Sequence, residues 1–215
     1  MLETLLHLSV FSGIVILSGY VLMKIKYVRK NVLSRKPSRN FLIMASIVLG
    51  IADMLASELG MDIVGVTANV RDSIAIFAGM LFPPVGIAVG LMGGFYRMSG
   101  LFWSGFTGSL GYWTALPCGI ATILAGVVGA YMYTKGYSIS KLTTHKIFVA
   151  ALVMAIWEAI HVQIITPIVS PLYNADRTFM GVFTLLGGQV LVPMIISNVV
   201  GLLALLFIIF ALKEE

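Results

Sequence analysis

The sequence has little charge. Only 11% of its 215 residues are Asp, Glu, Lys or Arg, against roughly 25% in an ordinary soluble domain. That shortage excludes a sizeable soluble domain. Cysteine is nearly absent: Cys118 stands alone, which excludes an internal disulfide and says nothing about redox compartment. Several motifs are missing too. There is no nucleophile elbow and no P-loop, and "GGFYRMSG" lacks the preceding strand a nucleotide motif requires. No internal repeat marks a solenoid, and no linker separates two domains. No catalytic residue and no cofactor is therefore expected.

What is present is apolar. Hydrophobic residues make up 59% of the chain and the mean hydropathy is +1.01. The 22 glycines suit membrane helices, whose backbones approach closely where side chains are small. The composition implies an all-α polytopic membrane protein embedded in the bilayer. A net charge of +5 would suggest nucleic acid only if the basic residues shared a folded soluble face. They lie instead in short loops, so no nucleic-acid partner is expected.

About 20 apolar residues cross the hydrocarbon core as a helix. Such runs occupy 5–23, 41–59, 113–133, 147–168 and 180–212, the last longer than one span needs and containing Pro193, which predicts a kinked helix. The first run has an acidic residue before it and the basic cluster after it, the reverse of a cleavable signal peptide, so it reads as a retained span. The connection after it holds Lys24, Lys26, Arg29, Lys30, Arg35, Lys36 and Arg39 with no acid, and a second basic connection holds Lys135, Lys141, His145 and Lys146. The positive-inside rule puts both in the cytoplasm. The stretch "ANVRDSIAIFAGMLFPPVGIAVGLMGGFYRMSG" (68–100) must then go in and come back, bending at Pro83-Pro84, because proline cannot donate and forces the residue before it out of helical geometry. Each arm is short, either re-entrant or tilted. Gly86, Gly90 and Gly94 recur every fourth residue on the second arm as a packing stripe. The expected count is seven membrane segments, N-terminus out and C-terminus in.

The hairpin brings Arg71 and Arg97 to the same, outer, side. An arginine at the bilayer centre costs about 2.5–3.5 kcal/mol on insertion scales, and its planar fork of donors matches a carboxylate or phosphate. Each arginine alone reads equally as an interfacial anchor or as a partner of Asp72 or Asp62; the two converging beside Asn69 and Tyr96 point to an anion site. Cys118 lies at a similar depth with Thr114 and Thr122 one turn to either side. Glu158 and His161, three apart in "WEAIHVQII", share a helix face. They read as a structural pair or as the wall of a proton-linked pocket. A lone E-x-x-H is a poor metal motif, since a di-metal bundle needs matching motifs on other helices, so no metal is expected. Asp53 is a candidate partner for Arg71 or for His161, and His7 and Asn198 read as helix-packing polar groups.

The segment "NVRDSIAIFAGMLFPPVGIAVGLMGGFYR", followed by "TALPCGIATILAGVVGAYMY", "WEAIHVQI" and "PMIISNVVGLLALLFIIF", resembles the five-transmembrane sensor region of LytS-YhcK type receptors. The resemblance covers about residues 43–212. It implies a single sensor domain over 1–215, with a first span and basic loop in 1–40 and the LytS-YhcK-like region in 41–212. It also implies a bacterial-type receptor of the inner membrane that binds a small carboxylate such as pyruvate, with Arg71, Arg97 and Cys118 in contact and Asn69 nearby. Val70, Phe82-Pro83 and Ala121 depart from the family pattern, so the ligand need not be the family's best-known one. The partners implied are a cytoplasmic histidine kinase or diguanylate cyclase output domain, or a separate partner protein, and a homodimer is possible. Any kinase or cyclase activity needs a further domain of roughly 100–150 residues, so the chain is either an excised sensor part or a stand-alone protein, and is not itself expected to be an enzyme. The competing readings are a transporter or transport subunit, suggested by broken helices at a polar site, and, more remotely, a membrane enzyme using Glu158 and His161.

Overall fold

A computed structural model describes residues 25–34, 36–58, 61–63, 66–99, 101 and 108–214. The expected first span over 5–23, with His7, lies outside the described residues. The basic connection contains a short helix, α1 (Lys26–Val32). It is tied to the next helix by Asn31, whose Nδ2 donates to the Tyr27 carbonyl (2.9 Å) and whose Oδ1 accepts from the Ser38 backbone N–H (2.9 Å). Ser38 accepts in turn from the Phe41 N–H at 3.2 Å, which satisfies one of the orphan donors at the start of α2 (Arg39–Glu58). Along α2, Ile43, Ile47, Ile51 and Leu55 recur every fourth residue on the exposed face while Asp53 and Ser57 are buried. That polar-inside, apolar-outside arrangement is what lipid imposes.

After α2 the chain forms two three-residue strands, β1 (Met61–Ile63) and β2 (Val66–Ala68), paired antiparallel with Met61 opposite Ala68, Asp62 opposite Thr67 and Ile63 opposite Val66. The all-α expectation did not include this hairpin. A two-stranded ladder pairs the backbone groups of a connection too short for a helix, in a stretch rich in β-branched residues.

The Pro-bent helical hairpin forms as expected, from α3 (Arg71–Leu81) and α4 (Pro83–Ser99). Phe82, just before the prolines, is extended at φ −152° and ψ 133°, the geometry that a following proline enforces. The 11 and 17 residues of the two arms span about 16 and 25 Å at 1.5 Å per residue, short of a ~30 Å core. Every residue of α3 is buried, so this helix is the centre of the bundle rather than part of its wall. The glycine stripe makes the burial possible. A Cβ at Gly86 would lie 2.2 Å from the Gly79 Cα and 3.0 Å from the Gly126 carbonyl oxygen, so α3, α4 and the next helix meet backbone to backbone.

That next helix is α5 (Gly108–Met132), continued by a π-helical turn over Tyr133–Tyr137. Pro117 lies inside it and cannot donate to the Trp113 carbonyl four residues earlier. Ser170 Oγ donates to that carbonyl at 2.8 Å, and the Tyr173 hydroxyl donates to it as well. Both donors come from the far end of a long helical run made of α6 (Thr144–Ile160), a π-helical turn (His161–Ile165) and α7 (Thr166–Tyr173). The run expected over 180–212 as one kinked helix is instead two: α8 (Phe179–Gln189) and α9 (Leu191–Glu214), separated at Val190. Pro193 is not the breaking residue. It sits in the first turn of α9, where a missing N–H forfeits no intrahelical bond.

Among the described residues four helical runs are long and apolar enough to cross a membrane: Arg39–Glu58, Trp113–Lys141, Thr144–Tyr173 and Leu191–Phe210, with Phe179–Gln189 a shorter apolar helix. The hairpin arms are not of that length. The bend at Phe82 packs against Phe41 (ring centroids 6.2 Å) and Tyr133 (6.4 Å). Those two rings adjoin the two basic connections, so both connections and the bend lie at one end of the bundle, and Arg71 and Arg97 lie toward the other.

The double substitution Ser170→Ala with Tyr173→Phe leaves the Trp113 carbonyl without a donor. We expect a loss of about 1–3 kcal/mol, read by thermal unfolding in detergent. Adding Pro117→Ala, which restores a backbone N–H four residues on, should recover much of that loss.

Candidate functional site

The N-terminus of α3 is held by an amide on another helix. Asn198, buried in α9, accepts from the Ser73 N–H through Oδ1 at 3.1 Å and donates through Nδ2 to the Asn69 carbonyl at 2.8 Å. Ser197 Oγ donates to the same carbonyl at 3.2 Å. Asn69 Oδ1 accepts from the Arg71 N–H at 3.1 Å, so the backbone on both sides of Arg71 and Asp72 is fixed. Reading Asn198 as a packing group is correct, and it is also the tie between α9 and the turn that carries the first arginine.

From this turn Arg71 and Asp72 project into a buried polar cluster. Arg71 Nε lies 3.3 Å from Asp72 Oδ1, and its Nη2 donates to the Cys118 carbonyl at 3.3 Å. The same Asp72 oxygen accepts from Thr122 Oγ1 at 2.8 Å, and Oδ2 accepts from Trp157 Nε1 at 3.4 Å. His161 Nδ1 sits 3.1 Å from Asp72 Oδ2 and 3.4 Å from Glu158 Oε2. It is aligned for a hydrogen bond with neither, lying between the two carboxylates. The Cys118 thiol is within hydrogen-bonding reach of His161. Glu158 and His161 share a face as their spacing predicts. That face is fully buried, and the π-helical turn begins at His161. Such turns inside helices occur frequently at functional sites.

The two arginines differ. Arg71 is engaged by Asp72, one of the acids its sequence context offers as a partner, and by the Cys118 carbonyl. Arg97, near the end of α4, donates through Nη2 to Thr114 Oγ1 at 3.5 Å, and among the described residues its buried Nε has no partner. Asp53 is fully buried, its two carboxylate oxygens make no hydrogen bond, and both Glu158 oxygens are likewise without one. Neither partner weighed for Asp53, Arg71 or His161, is hydrogen-bonded to it, although Arg71 is near enough to act on it electrostatically. Tyr96, expected beside the arginines, is near enough to Arg97 to feel its charge, and its hydroxyl also interacts with Glu58 at the end of α2.

The fold thus gathers Arg71, Arg97, Thr114, Cys118, Thr122, Glu158, His161 and Asp53 from five helical segments, with Asn69 at the entry to α3. Sequence reasoning missed the centre of the cluster. Asp72 was seen only as a neutralising neighbour and Trp157 not at all. The available signal was an acid in the first turn of a short apolar helix, the position the helix dipole favours. Asp72, Glu158 and His161 offer ligand atoms within 4.8 Å of one another, a possible metal-holding group. Both Asp72 oxygens are already occupied, one of them beside the Arg71 cation, so the donor set is that of an ion-pair network and fits a metal poorly.

Fold and cluster define a class: a polytopic helical membrane protein whose ionisable residues converge on one buried site between its helices. Residues 3–212 match the family model described as the 5TMR of 5TMR-LYT, and the chain belongs to that five-transmembrane receptor family. It is similar to the sensor histidine kinase BtsS of Escherichia coli strain K12, with 31% identity over 159 residues, which is 72% of this chain and 25% of the relative. The BtsS proteins of Escherichia coli O6:H1 and Shigella flexneri match to the same extent. The chain spans about a quarter of the length of these curated relatives. No solved structure matches.

Asn198→Ala leaves the Ser73 N–H without its acceptor and the Asn69 carbonyl with Ser197 as its remaining donor, in a dry interior. We expect about 1–3 kcal/mol of destabilisation in thermal unfolding of the detergent-solubilised protein. Asn198→Asp keeps the acceptor for Ser73 but places a carboxylate against the Asn69 carbonyl, and should be at least as damaging.

Proposed function

We propose that the chain is the sensor domain, one unit over 1–215, of a bacterial-type signal-transduction receptor in the inner membrane, and that it binds a small carboxylate from the outer side. Arg97 carries this reading. It is a buried cation with an unused donor, one of two arginines brought to the same cluster by a hairpin whose arms are too short to serve as ordinary spans. With the basic connections cytoplasmic by the positive-inside rule, the cluster lies toward the outer face. Arg97 supplies the unpaired Nε donor, Thr114 and Cys118 lie beside it, and Arg71, held by Asp72, adds positive potential. Thr122 and Asn69 hold this geometry, and Glu158 and His161 form the wall. Two charge-assisted contacts at about 1.5–3 kcal/mol each give most of a millimolar affinity. Pyruvate is the first ligand to try, because the family resemblance implies it.

A signal requires that the ligand bind one arrangement of helices better than another. The Asn198 tie offers the route: a ligand that draws Arg71 and Arg97 together displaces the first turn of α3, and α9 moves with it toward the cytoplasmic side. There we place the output domain, or a partner protein, and a homodimer as the unit that reads the displacement. The interruptions at Phe82 and Val190 also suit a transporter. Uptake into vesicles separates the readings, since a receptor binds without net flux.

Thermal stabilisation by a panel of small carboxylates tests the proposal. Saturable stabilisation is expected in the wild type. Arg97→Ala should abolish it with little loss of fold. Arg71→Ala should abolish it too, but with destabilisation of about 3–5 kcal/mol from the stranded Asp72 carboxylate. A folded protein that no carboxylate stabilises would sink the reading.

A further inference from the structure

We propose, resting on the carboxylate-binding reading above, that the ligand is a small zwitterionic carboxylate whose ammonium group is received by Asp53. Asp53 is fully buried on α2, and among the described residues neither of its carboxylate oxygens has a hydrogen-bond partner. A buried carboxylate is costly unless paired. The cation that acts on it, Arg71, is already held by Asp72 and the Cys118 carbonyl.

The carboxylate fits where it does because position 93 has no side chain. A Cβ at Gly93 would fall 1.7 Å from Asp53 Oδ2 and 3.3 Å from Thr122 Cγ2. Asp53 therefore reaches across to α4 on the face that carries Arg97 one turn further along, beside the Thr122 that binds Asp72. Arg97 is only 8% exposed and its Nε is unpartnered. An unmatched donor and an unmatched acceptor thus border one cluster. Gly93 and Arg97 are about 6 Å apart along α4, so one small ligand can reach both the Asp53 and the Arg97 side chains.

Charge balance favours the same class. The buried cluster already holds the three carboxyl groups of Asp53, Asp72 and Glu158. A simple carboxylate adds a net negative charge beside them in a site of low dielectric. A zwitterion adds none, and its ammonium pairs with the carboxylate that lacks a cation.

The test compares four three-carbon acids that differ only at C2: propionate, pyruvate, lactate and alanine. Their binding to the full chain in lipid nanodiscs is measured by titration calorimetry. We expect alanine to bind about tenfold or more tighter than the other three. Asp53→Asn should erase that advantage while leaving propionate affinity within about twofold, and Arg97→Gln should weaken all four. Pyruvate, propionate or lactate binding as tightly as alanine would overturn the proposal, as would an alanine advantage that survives Asp53→Asn; either result means that Asp53 holds a proton or serves packing alone. If Asp53→Asn does not fold, the wild-type ranking decides. Pyruvate or propionate binding without an alanine preference leaves the carboxylate reading standing. Absence of binding by all four removes both.

Discussion

The Asp72 carboxylate is the group on which the rest of the structure depends. It accepts from Thr122 on α5 and Trp157 on α6, pairs with Arg71 on its own helix and lies 3.1 Å from His161 in the π-helical turn. A carboxylate in the interior of a membrane protein is costly unless its lone pairs are filled. Here three helical segments are held in register by the need to fill them. The central position of α3 follows: its first turn carries the charge that the surrounding helices converge on, and its remaining residues are apolar and buried on every side.

Two further constraints come from the backbone. In lipid every freed carbonyl must find a donor within the protein, and the carbonyl freed by Pro117 finds two, on α7. The same accounting explains the amide of Asn198, which completes the first turn of α3 from a different helix. Proline and asparagine are thus used in opposite senses, one opening a backbone site that a neighbour fills and the other filling a site that a helix terminus leaves open. Both tie distant parts of the chain to the cluster, Pro117 through the end of the long α6–α7 run and Asn198 through α9.

The cluster is only partly self-sufficient. Arg71, Asp72, Thr122 and Trp157 satisfy one another, whereas Arg97 Nε, Asp53 and Glu158 keep unused donors or acceptors. A structural network tends toward full satisfaction because partial satisfaction is expensive in a dry interior. The cluster thus divides into a completed half and an incomplete half, and that division separates the two arginines that look equivalent in the sequence.

By itself the sequence determined the membrane class, the bend at Phe82-Pro83 and the shared end of the two basic connections. It also brought Arg71, Arg97 and Cys118 to one side of the membrane and put Glu158 and His161 on one helix face. These follow from local rules: the length of apolar runs, the stereochemistry of proline, the bias of basic loops and helical spacing. Tertiary structure alone decided the break at Val190 rather than Pro193, the β1–β2 hairpin, the hub role of Asp72, and which arginine is occupied. Those outcomes depend on which atoms of distant helices meet, and hydrogen-bond geometry between residues 50 to 130 positions apart has no local signature. A buried acid reads the same from sequence whether three donors reach it, as at Asp72, or none, as at Asp53.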